Sequence, residues 1–522
     1  MAALPREDWL FVVESQKMHN GSLKMSIEKV RKMGVMRFLV IILLLVGFRM
    51  GRAAESPNIL LIVTDEHNFR TLGCYRDHLP KEQAEMWGPG VIVQTPHIDR
   101  LAREGVICTR AYATAPVCSP CRAAMITGLY PQNTGVPTNN HKLRTDIPTL
   151  ASILNKSGYE TGFIGKWHLG GDGKPEWSPE IDGGFVDKQY MFNRGHWKKF
   201  ERTKAGAEVA SRDKNGEPSY SLDNADEKTF STDFLTDRCI DFITAKENKP
   251  FLAVVSYPDP HGPNTVRAPY DTMFDHLRFL PPRTYGLDGV AGPKWLGDEK
   301  GHTTFQPNQM RQYFGMVKCL DDNIGRLFQV LEANGKLDST IIMMTSDHGD
   351  LCYEHDRLNK GNPYEGSARV PMLIRFPDSL SAGFVYEQPV GTVDITPTLL
   401  RLAGNNFSAG DFQGRDLSEA FRREVSRETT HTFLRNAGTK ASWICVVDSR
   451  YKLVLSVNDR PWLFDSQQDP DELHNFFGRP GSEAVTRALA KALKSYSVAS
   501  GDAFAKQPTI AKSLNLCLQS GL

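Results

Sequence analysis

The segment Asn58–Val63 reads NILLIV, a continuous apolar run that follows Pro57. A short run of this kind is typical of a strand that is buried on both faces of a parallel sheet. Asp65 and Glu66 come directly after it. Open α/β sheets bind ligands outside the carboxyl ends of their strands. The segment therefore predicts an α/β fold with a ligand site beside Asp65 and Glu66.

The same arrangement occurs three more times along the chain. Apolar runs cover residues 161–164, 251–257 and 340–345, and polar or charged residues follow each of them. Segments with apolar residues three and four positions apart lie between the runs, at residues 98–104, 150–156 and 312–333. Strands that alternate with helices predict a large mixed, mostly parallel sheet that is sandwiched by helices.

The pattern changes after about residue 405, where short strands separated by turn residues replace the alternation. We predict a catalytic domain over residues 55–405 and a small α+β subdomain over residues 406–522. Two polar segments, residues 172–232 and 262–310, are expected to form surface insertions. The strands and the helix assigned to the subdomain are 442–447, 451–457, 462–465 and 482–497.

The N-terminal residues 1–54 combine an extension with a predicted signal peptide. The run Phe38–Phe48 is apolar over about 11 residues, whereas a bilayer span needs roughly 20. Basic residues precede it and Ala53-Ala54 follow it, as in secretory signals. We predict a signal peptide over about residues 36–54, with translation starting at Met36, and a secreted or periplasmic protein. An uncleaved signal-anchor is the alternative, and no other membrane span is expected.

The charge of the chain is almost balanced. Its 522 residues include 62 Lys+Arg and 61 Asp+Glu, which gives a formal net charge of +1. Nucleic-acid-binding proteins usually carry a basic excess, so no nucleic-acid partner is expected. A hydrophobic content of 40% excludes disorder as the dominant state. Nine cysteines are too few for a disulfide scaffold, and their pairing cannot be deduced from the sequence.

The segment Val117–Arg122, VCSPCR, contains a Cys-x-x-Cys pair. Alone, this pair is compatible with a disulfide, a redox dithiol or half of a zinc site. Pro120 suits the first turn of a helix, and the residues up to Gly128 are compatible with one. Cys118 would then lie at a helix N-terminus, which favours negative charge.

The motif Cys118-x-Pro120-x-Arg122, followed by Thr127-Gly128, resembles the signature of the type I sulfatases in the alkaline phosphatase superfamily. The resemblance extends in order from Pro57 to about Asn475, and it is closest to glycan sulfatases such as the iduronate and glucosamine sulfatases. It implies the hydrolysis of sulfate esters. The other shared segments are Gly165–His168, Pro260-His261, Ser346–Gly349, Lys360, Tyr364-Glu365, Arg369–Pro371, Asp394–Thr398, Leu463–Asp465 and Asp469-Pro470.

The resemblance implies that Cys118 is the source of the nucleophile. In that family a maturation enzyme oxidises the motif cysteine to formylglycine (3-oxoalanine), whose hydrate attacks sulfur. The second hydroxyl of the hydrate then expels sulfate, a step that a thiol could not perform. Arg122, one turn into the helix, is expected to reach toward the same point. Cys121 stands where many members carry Ser, and we expect it to stay unmodified.

The resemblance also implies a divalent ion, usually calcium, with magnesium as the alternative. The matching positions are Asp65, Glu66, Asp347 and His348, together with the group derived from Cys118. Glu66 departs from the family, which commonly has Asp there. It is expected either to ligate the ion or to lie beside the ligands.

Four further residues match the remaining active-site positions of the family. Lys166 and Lys360 are implied to contact the sulfate. His168 is implied to deprotonate the hydroxyl in the release step, and His261 to protonate the leaving oxygen. His141, in the loop after the predicted nucleophile helix, is a candidate substrate contact.

The expected function is the hydrolysis of sulfate esters on a sulfated sugar or polysaccharide. A phosphonate or phosphate ester hydrolase of the same superfamily is one alternative. Another is a sulfated-glycan-binding protein in which Cys118 is never matured. A redox protein would instead form a disulfide between Cys118 and Cys121. The sequence does not reveal the sugar, the sulfate position, or exo or endo action.

Overall fold

The structure is a computed structural model that describes residues 56–520, except residues 205, 247–248, 288–291, 297–302, 409 and 426–429. The predicted N-terminal extension and signal peptide lie outside the described residues. Every helix that the structure describes is too short or too polar to cross a lipid bilayer.

An eight-stranded sheet forms the centre of the described chain. In chain order its strands are β1 (Asn58–Asp65), β2 (Val106–Cys108), β3 (Glu160–Lys166), β4 (Met191–Phe192), β5 (Phe251–Pro260), β6 (Thr340–Ser346), β7 (Met372–Arg375) and β8 (Phe384–Tyr386). Across the sheet the order is β8-β2-β7-β6-β1-β5-β3-β4. Neighbouring strands run parallel, except that β7 is antiparallel to both β2 and β6. The predicted mixed, mostly parallel sheet is thus confirmed.

Helices cover both faces of this sheet because alternate residues of a strand point to opposite sides. Leu60 and Ile62 of β1 belong to one hydrophobic cluster, and Ile59 and Leu61 belong to another. Helices α3, α6 and α7 contribute to the first cluster, and α4, α5 and α9 to the second. The helices are α1 (Gly73–Arg76), α2 (Lys81–Ala84), α3 (Pro96–Glu104), α4 (Cys118–Thr127), α5 (Leu150–Lys156), α6 (Ser231–Thr244), α7 (Pro307–Ala333), α8 (Glu365–Ala368), α9 (Ile395–Leu402), α10 (Ser418–Arg422), α11 (Glu483–Ala499) and α12 (Pro508–Gln519).

A four-stranded antiparallel sheet with helices α11 and α12 forms the C-terminal part. Its strands are β9 (Thr432–Arg435), β10 (Trp443–Val447), β11 (Tyr451–Ser456) and β12 (Trp462–Asp465). The sequence predicted three of these strands and α11, but not β9 or α12. Ala124, Tyr130 and Val393 from earlier in the chain share the hydrophobic core of this part. The division into domains at residues 405 and 406 stays a prediction.

The two predicted surface insertions are wrong in part. Residues 172–232 contribute β4 to the edge of the main sheet, and Trp197 and Phe200 are buried in its core. Phe279, in the second segment, is buried in the same cluster. The buried aromatic residues of both segments are widely spaced between polar ones, so the average composition of each segment is polar although part of it is buried.

Five shorter strands form two further sheets. Phe200–Thr203 and Gly206–Val209 pair with each other. Ala111–Tyr112, Arg369–Val370 and Val390–Gly391 form a three-stranded sheet.

Candidate active site

The candidate site residues meet at the carboxyl edge of four neighbouring strands. Asp65 ends β1, Lys166 ends β3, and Asp347 directly follows β6. His261 follows β5, which lies between β1 and β3. Because β6, β1, β5 and β3 are parallel neighbours, their carboxyl ends bring these distant residues together.

Helix α4 places Cys118 at this edge. The helix begins at Cys118, has Pro120 in its first turn, and ends before Gly128, whose φ of 68° suits glycine. The backbone N–H of Ser119 donates to Oδ1 of Asn139 at 3.0 Å. Burial and the Asp65 carboxylate raise the pKa of the Cys118 thiol. The surrounding cations outweigh both effects and lower that pKa to about 7.

Four buried side chains, which we call the metal-ligand cluster, converge on one point: Asp65, Cys118, Asp347 and His348. Their candidate ligand atoms all lie within 4.8 Å of one another. Nε2 of His348 lies 3.2 Å from Sγ of Cys118, 3.4 Å from Oδ1 of Asp347 and 3.6 Å from Oδ1 of Asp65. Sγ of Cys118 lies 3.9 Å from Oδ1 of Asp65. Two carboxylates and an imidazole at this spacing fit a divalent cation.

Arg122 holds two members of the metal-ligand cluster. Its Nε donates to Oδ2 of Asp347 at 2.8 Å, and its Nη2 donates to Oδ2 of Asp65 at 3.1 Å. Its Nη1 donates to the carbonyl of Lys166 and to the hydroxyl of Ser256, each at 2.7 Å. These contacts occupy Oδ2 of each aspartate and leave each Oδ1 directed into the cluster. Arg122 therefore orients the two carboxylates.

Glu66 lies beside the metal-ligand cluster and not within it. Its Oε2 is 2.9 Å from Nε2 of His261, and its Oε1 is 3.2 Å from Nζ of Lys360. Burial raises the pKa of Glu66, but the charges of His261 and Lys360 outweigh burial and lower it to about 2. The longer side chain and a left-handed backbone with φ of 63° direct the carboxylate to these cations. Of the two expected placements, this geometry favours the one beside the ligands, and direct ligation stays a prediction.

Lys166 and His168 lie at the end of β3. Lys166 is fully buried, forms an ion pair with Asp65, and has its Nζ 2.7 Å from Nε2 of His196. His168 is buried, and its Nδ1 has no hydrogen-bond partner among the described residues. Burial, followed by the charges of Lys166 and Arg122, lowers the pKa of His168 well below its usual value. His168 is therefore neutral and can accept a proton.

His261 and Lys360 lie next to each other in the site. Nδ1 of His261 lies 2.8 Å from the carbonyl oxygen of Gly262, and Nε2 lies 2.6 Å from Nζ of Lys360. Burial lowers the pKa of Lys360, but the nearby anions, Cys118 and Glu66 first among them, raise it above its usual value. Lys360 is therefore a cation that faces the same space as Lys166.

His196 is a site residue that the sequence analysis missed. It lies within residues 172–232, which were assigned to the surface, and its only local signal is the basic and aromatic sequence GHWKK at 195–199. His141, the candidate substrate contact, is exposed, and its Nδ1 lies 3.2 Å from the carbonyl oxygen of Asn139. The loop that holds Asn139 therefore connects the N-terminus of α4 with the exposed His141.

The two cysteines of the Cys-x-x-Cys pair are not bonded to each other. Sγ of Cys118 faces His348, whereas Sγ of Cys121 lies 3.2 Å from the hydroxyl of Thr392. Burial raises the pKa of Cys121 well above its usual value. The disulfide expected of a redox protein is absent from the described residues, and Cys121 is a buried free thiol beside Thr392.

Sequence comparisons agree with this geometry. The sulfatase family profile matches residues 57–405, and a profile described as N-sulphoglucosamine sulphohydrolase, C-terminal, matches residues 353–499. The chain is 28% identical over 475 residues to an ulvan-active sulfatase of Formosa agariphila, a match that covers 88% of this chain and 84% of that protein. It is 26% identical to an N-acetylglucosamine-6-O-sulfatase of Bacteroides thetaiotaomicron, over 81% of this chain and 83% of that protein.

A solved structure has the same fold. It is a complex of a relative with its substrate D-glucosamine-2-N,6-O-disulfate, and it superimposes with a TM-score of 0.70 at 23% identity. The match covers 86% of this chain and 99% of that chain. The profile match extends over more than half of the 522 residues and includes every member of the metal-ligand cluster. The chain therefore belongs to the sulfatase family of sulfuric ester hydrolases.

Proposed function

We propose that this protein removes sulfate from a sulfated sugar or polysaccharide, with a nucleophile derived from Cys118 and a bound calcium ion. The observation that carries the proposal is the position of Cys118: its Sγ lies 3.2 Å from Nε2 of His348, and the positive charges of Lys166 and Lys360 act on the same thiol. The anionic sulfonate group of a sulfate ester needs such cations around it, whereas a thiol in a reducing or structural role does not. The relatives named for ulvan and for N-acetylglucosamine sulfate support the class of substrate.

Asp65, Asp347 and His348 would hold the ion together with the group derived from Cys118, and Arg122 would keep the two carboxylates in place. A divalent cation there supplies Lewis-acid stabilisation of a sulfate oxygen and favours the ionised nucleophile. Formylglycine at residue 118 supplies, as its hydrate, one hydroxyl for attack on sulfur and a second for the release of sulfate. Calcium is proposed, with magnesium as the alternative, because oxygen ligands predominate.

The remaining site residues bind the sulfate group or transfer protons. Lys166 and Lys360 bind sulfate oxygens, and the surrounding anions raise the pKa of Lys360 above its usual value and keep it charged. His261 donates a proton to the leaving alcohol through Nε2, since its Nδ1 faces the carbonyl oxygen of Gly262. Neutral His168 accepts a proton from the hydroxyl that expels sulfate, because its depressed pKa keeps it unprotonated.

Export and maturation complete the proposal. The predicted signal peptide at about residues 36–54 directs the chain to the periplasm or the exterior. A formylglycine-generating enzyme of the host acts on Cys118 through the adjacent Pro120 and Arg122. The N-terminal sequence of the mature protein, read by Edman degradation, tests the export step. A mature chain that begins at or near Ala54 is the expected result, and one that retains residues 36–54 would favour the uncleaved signal-anchor.

The first test measures maturation and the reaction type together. Conversion of Cys118 to formylglycine lowers the mass of its peptide by about 18 Da. The matured protein should hydrolyse an aryl sulfate, and Cys118→Ala should not. Faster turnover of an aryl phosphodiester than of the sulfate would instead favour the phosphonate or phosphate esterase. An unmodified peptide from the native host, with saccharide binding but no turnover, would favour the glycan-binding protein.

The second test identifies the substrate. A panel of defined sulfated mono- and oligosaccharides, which differ in sugar and in sulfate position, is incubated with matured enzyme and with Cys118→Ala. Release of sulfate from a saccharide by the matured enzyme alone is the expected result. Activity that is confined to aryl or steroid sulfates would contradict the proposed class of substrate.

A further inference from the structure

His196 contacts two groups of the active site at once. Its ring stacks on the ring of His261, with centroids 3.4 Å apart and planes 8° from parallel. Its Nε2 lies 2.7 Å from Nζ of Lys166. One half-buried side chain therefore touches both the proposed leaving-group acid and a proposed sulfate ligand.

The stack restrains His261 in a direction that its hydrogen bonds do not. Nδ1 of His261 faces the carbonyl oxygen of Gly262, and Nε2 faces Glu66 and Lys360. These contacts act in the plane of the ring and leave it free to tilt out of that plane. A parallel ring at 3.4 Å blocks the tilt on one side. The stack therefore limits the directions in which Nε2 of His261 can point.

The second contact orients Lys166. An ammonium group has three N–H donors. Asp65 accepts one, and Nε2 of His196 accepts another when the imidazole is neutral. One N–H of Lys166 then remains for a sulfate oxygen.

The segment that carries His196 is itself attached to the loop of His261. Lys198 is fully buried, and its Nζ donates to Oδ1 of Asp259 at 2.6 Å and to the carbonyl oxygen of His261 at 3.3 Å. Asp259 also accepts from the hydroxyl of Thr232 at 2.6 Å. Lys198, two residues after His196, therefore attaches this segment to the loop of His261 through buried contacts.

We propose that His196 is a positioning residue for sulfate-ester cleavage, which aligns His261 through the ring stack and Lys166 through Nε2. This inference rests on the roles proposed above for His261 and Lys166. The two contacts predict separable effects. Loss of the stack weakens protonation of the leaving group, and loss of the Nε2 acceptor weakens binding of the sulfate.

The test compares two esters, phenyl sulfate with a poor leaving group and 4-nitrophenyl sulfate with a good one. His196→Ala should lower kcat for phenyl sulfate at least about tenfold more than kcat for 4-nitrophenyl sulfate, which needs less protonation. His196→Phe keeps a stacking ring, so it should restore the ratio of the two kcat values while KM stays raised. His196→Gln keeps an acceptor, so it should restore KM but not the ratio.

The control is His78→Ala, because His78 is exposed and lies outside the site. The melting temperature of every variant is recorded. An equal loss of kcat on both esters, or identical behaviour of the Phe and Gln variants, would overturn the role of His196. If the alanine variant does not fold, the Phe and Gln variants decide between the outcomes. A matured wild-type enzyme that hydrolyses neither ester would overturn the proposed function itself, and the role of His196 with it.

Discussion

Asp65 and Glu66 are adjacent carboxylates that serve different partners. Asp65 ends a strand and directs Oδ1 into the metal-ligand cluster, while its Oδ2 pairs with Arg122 and Lys166. Glu66 is the first residue beyond the strand, and its carboxylate pairs with His261 and Lys360. Two adjacent residues thus differ in role: Asp65 is a candidate metal ligand, and Glu66 is a carboxylate that faces His261 and Lys360.

This division predicts different effects on metal affinity. Asp347→Asn removes a cluster ligand and should weaken calcium binding by more than about a hundredfold, whereas Glu66→Gln should cost about tenfold, as a neighbouring group does. Isothermal titration of calcium into the metal-free matured enzyme measures both. Equal losses in the two variants would show that Glu66 ligates the ion directly.

His67 predicts a pH dependence of stability. It is fully buried between the hydroxyls of Thr64 and Thr71, and burial lowers its pKa from 6.5 to about 3. Below pH 6.5 the unfolded chain therefore takes up a proton that the folded chain does not. The free energy of unfolding should fall by up to about 1.4 kcal/mol per pH unit from this residue alone.

The measurement compares melting temperatures of the wild type and of His67→Gln between about pH 7.5 and pH 5.5. The glutamine does not titrate in this range, so the variant should lose less stability than the wild type as the pH falls. Parallel curves would show that His67 contributes nothing to the acid sensitivity of the protein.

At the scale of elements, the stability of helix α4 depends on Gly128, the residue that follows its last turn. Gly128 has φ of 68°, and an added Cβ would lie 2.7 Å from the ring of Phe412. Gly158, which follows α5, also has a positive φ of 85°, but an added Cβ there meets nothing within 4 Å. An alanine would strain the backbone at both positions, but only at position 128 would its Cβ also collide with a neighbouring side chain.

Gly158→Ala should therefore cost about 1 kcal/mol from the left-handed backbone. Gly128→Ala should cost at least about 2 kcal/mol, because the ring of Phe412 must also move. Melting temperatures of the two variants give the comparison. A smaller loss in Gly128→Ala than in Gly158→Ala would contradict the steric argument.

At the scale of the whole molecule, a buried ion-pair network joins the C-terminal sheet to the catalytic part. Lys452 of β11 lies 2.6 Å from Glu365 of α8 and 2.7 Å from Glu472, and all three are buried. Its Nζ also donates to the carbonyl oxygen of Pro363 at 2.7 Å. This one cation therefore contacts two carboxylates from distant parts of the chain.

Lys452→Met should destabilise the protein by about 3–5 kcal/mol, because it leaves both carboxylates buried without their partner. Lys494→Met on the exposed face of α11 is the matched control and should change the melting temperature little. Comparable melting temperatures for the two variants would contradict a stabilising role for the network.

The main strands and helices could be predicted because each has its own pattern of apolar residues. Runs such as Asn58–Val63 are apolar enough to be buried on both faces whatever surrounds them, and the structure places β1 at Asn58–Asp65. Strands β4 and β9 could not be predicted in this way. They are only two and four residues long, and they form strands because a neighbouring edge offers hydrogen-bond partners.

The sequence alone was sufficient for the family and the fold class, because the ordered motifs and the apolar strand pattern are local features of the chain. It also predicted candidate site residues at the carboxyl ends of the strands, and the structure brings these together, but it missed His196. Only the tertiary structure determines which of those residues contact one another. Arg122 is bound to two aspartates, Glu66 faces His261 and Lys360, and His196 enters from a polar segment. Such contacts join residues that are far apart in the chain, and no local pattern records the distance between them.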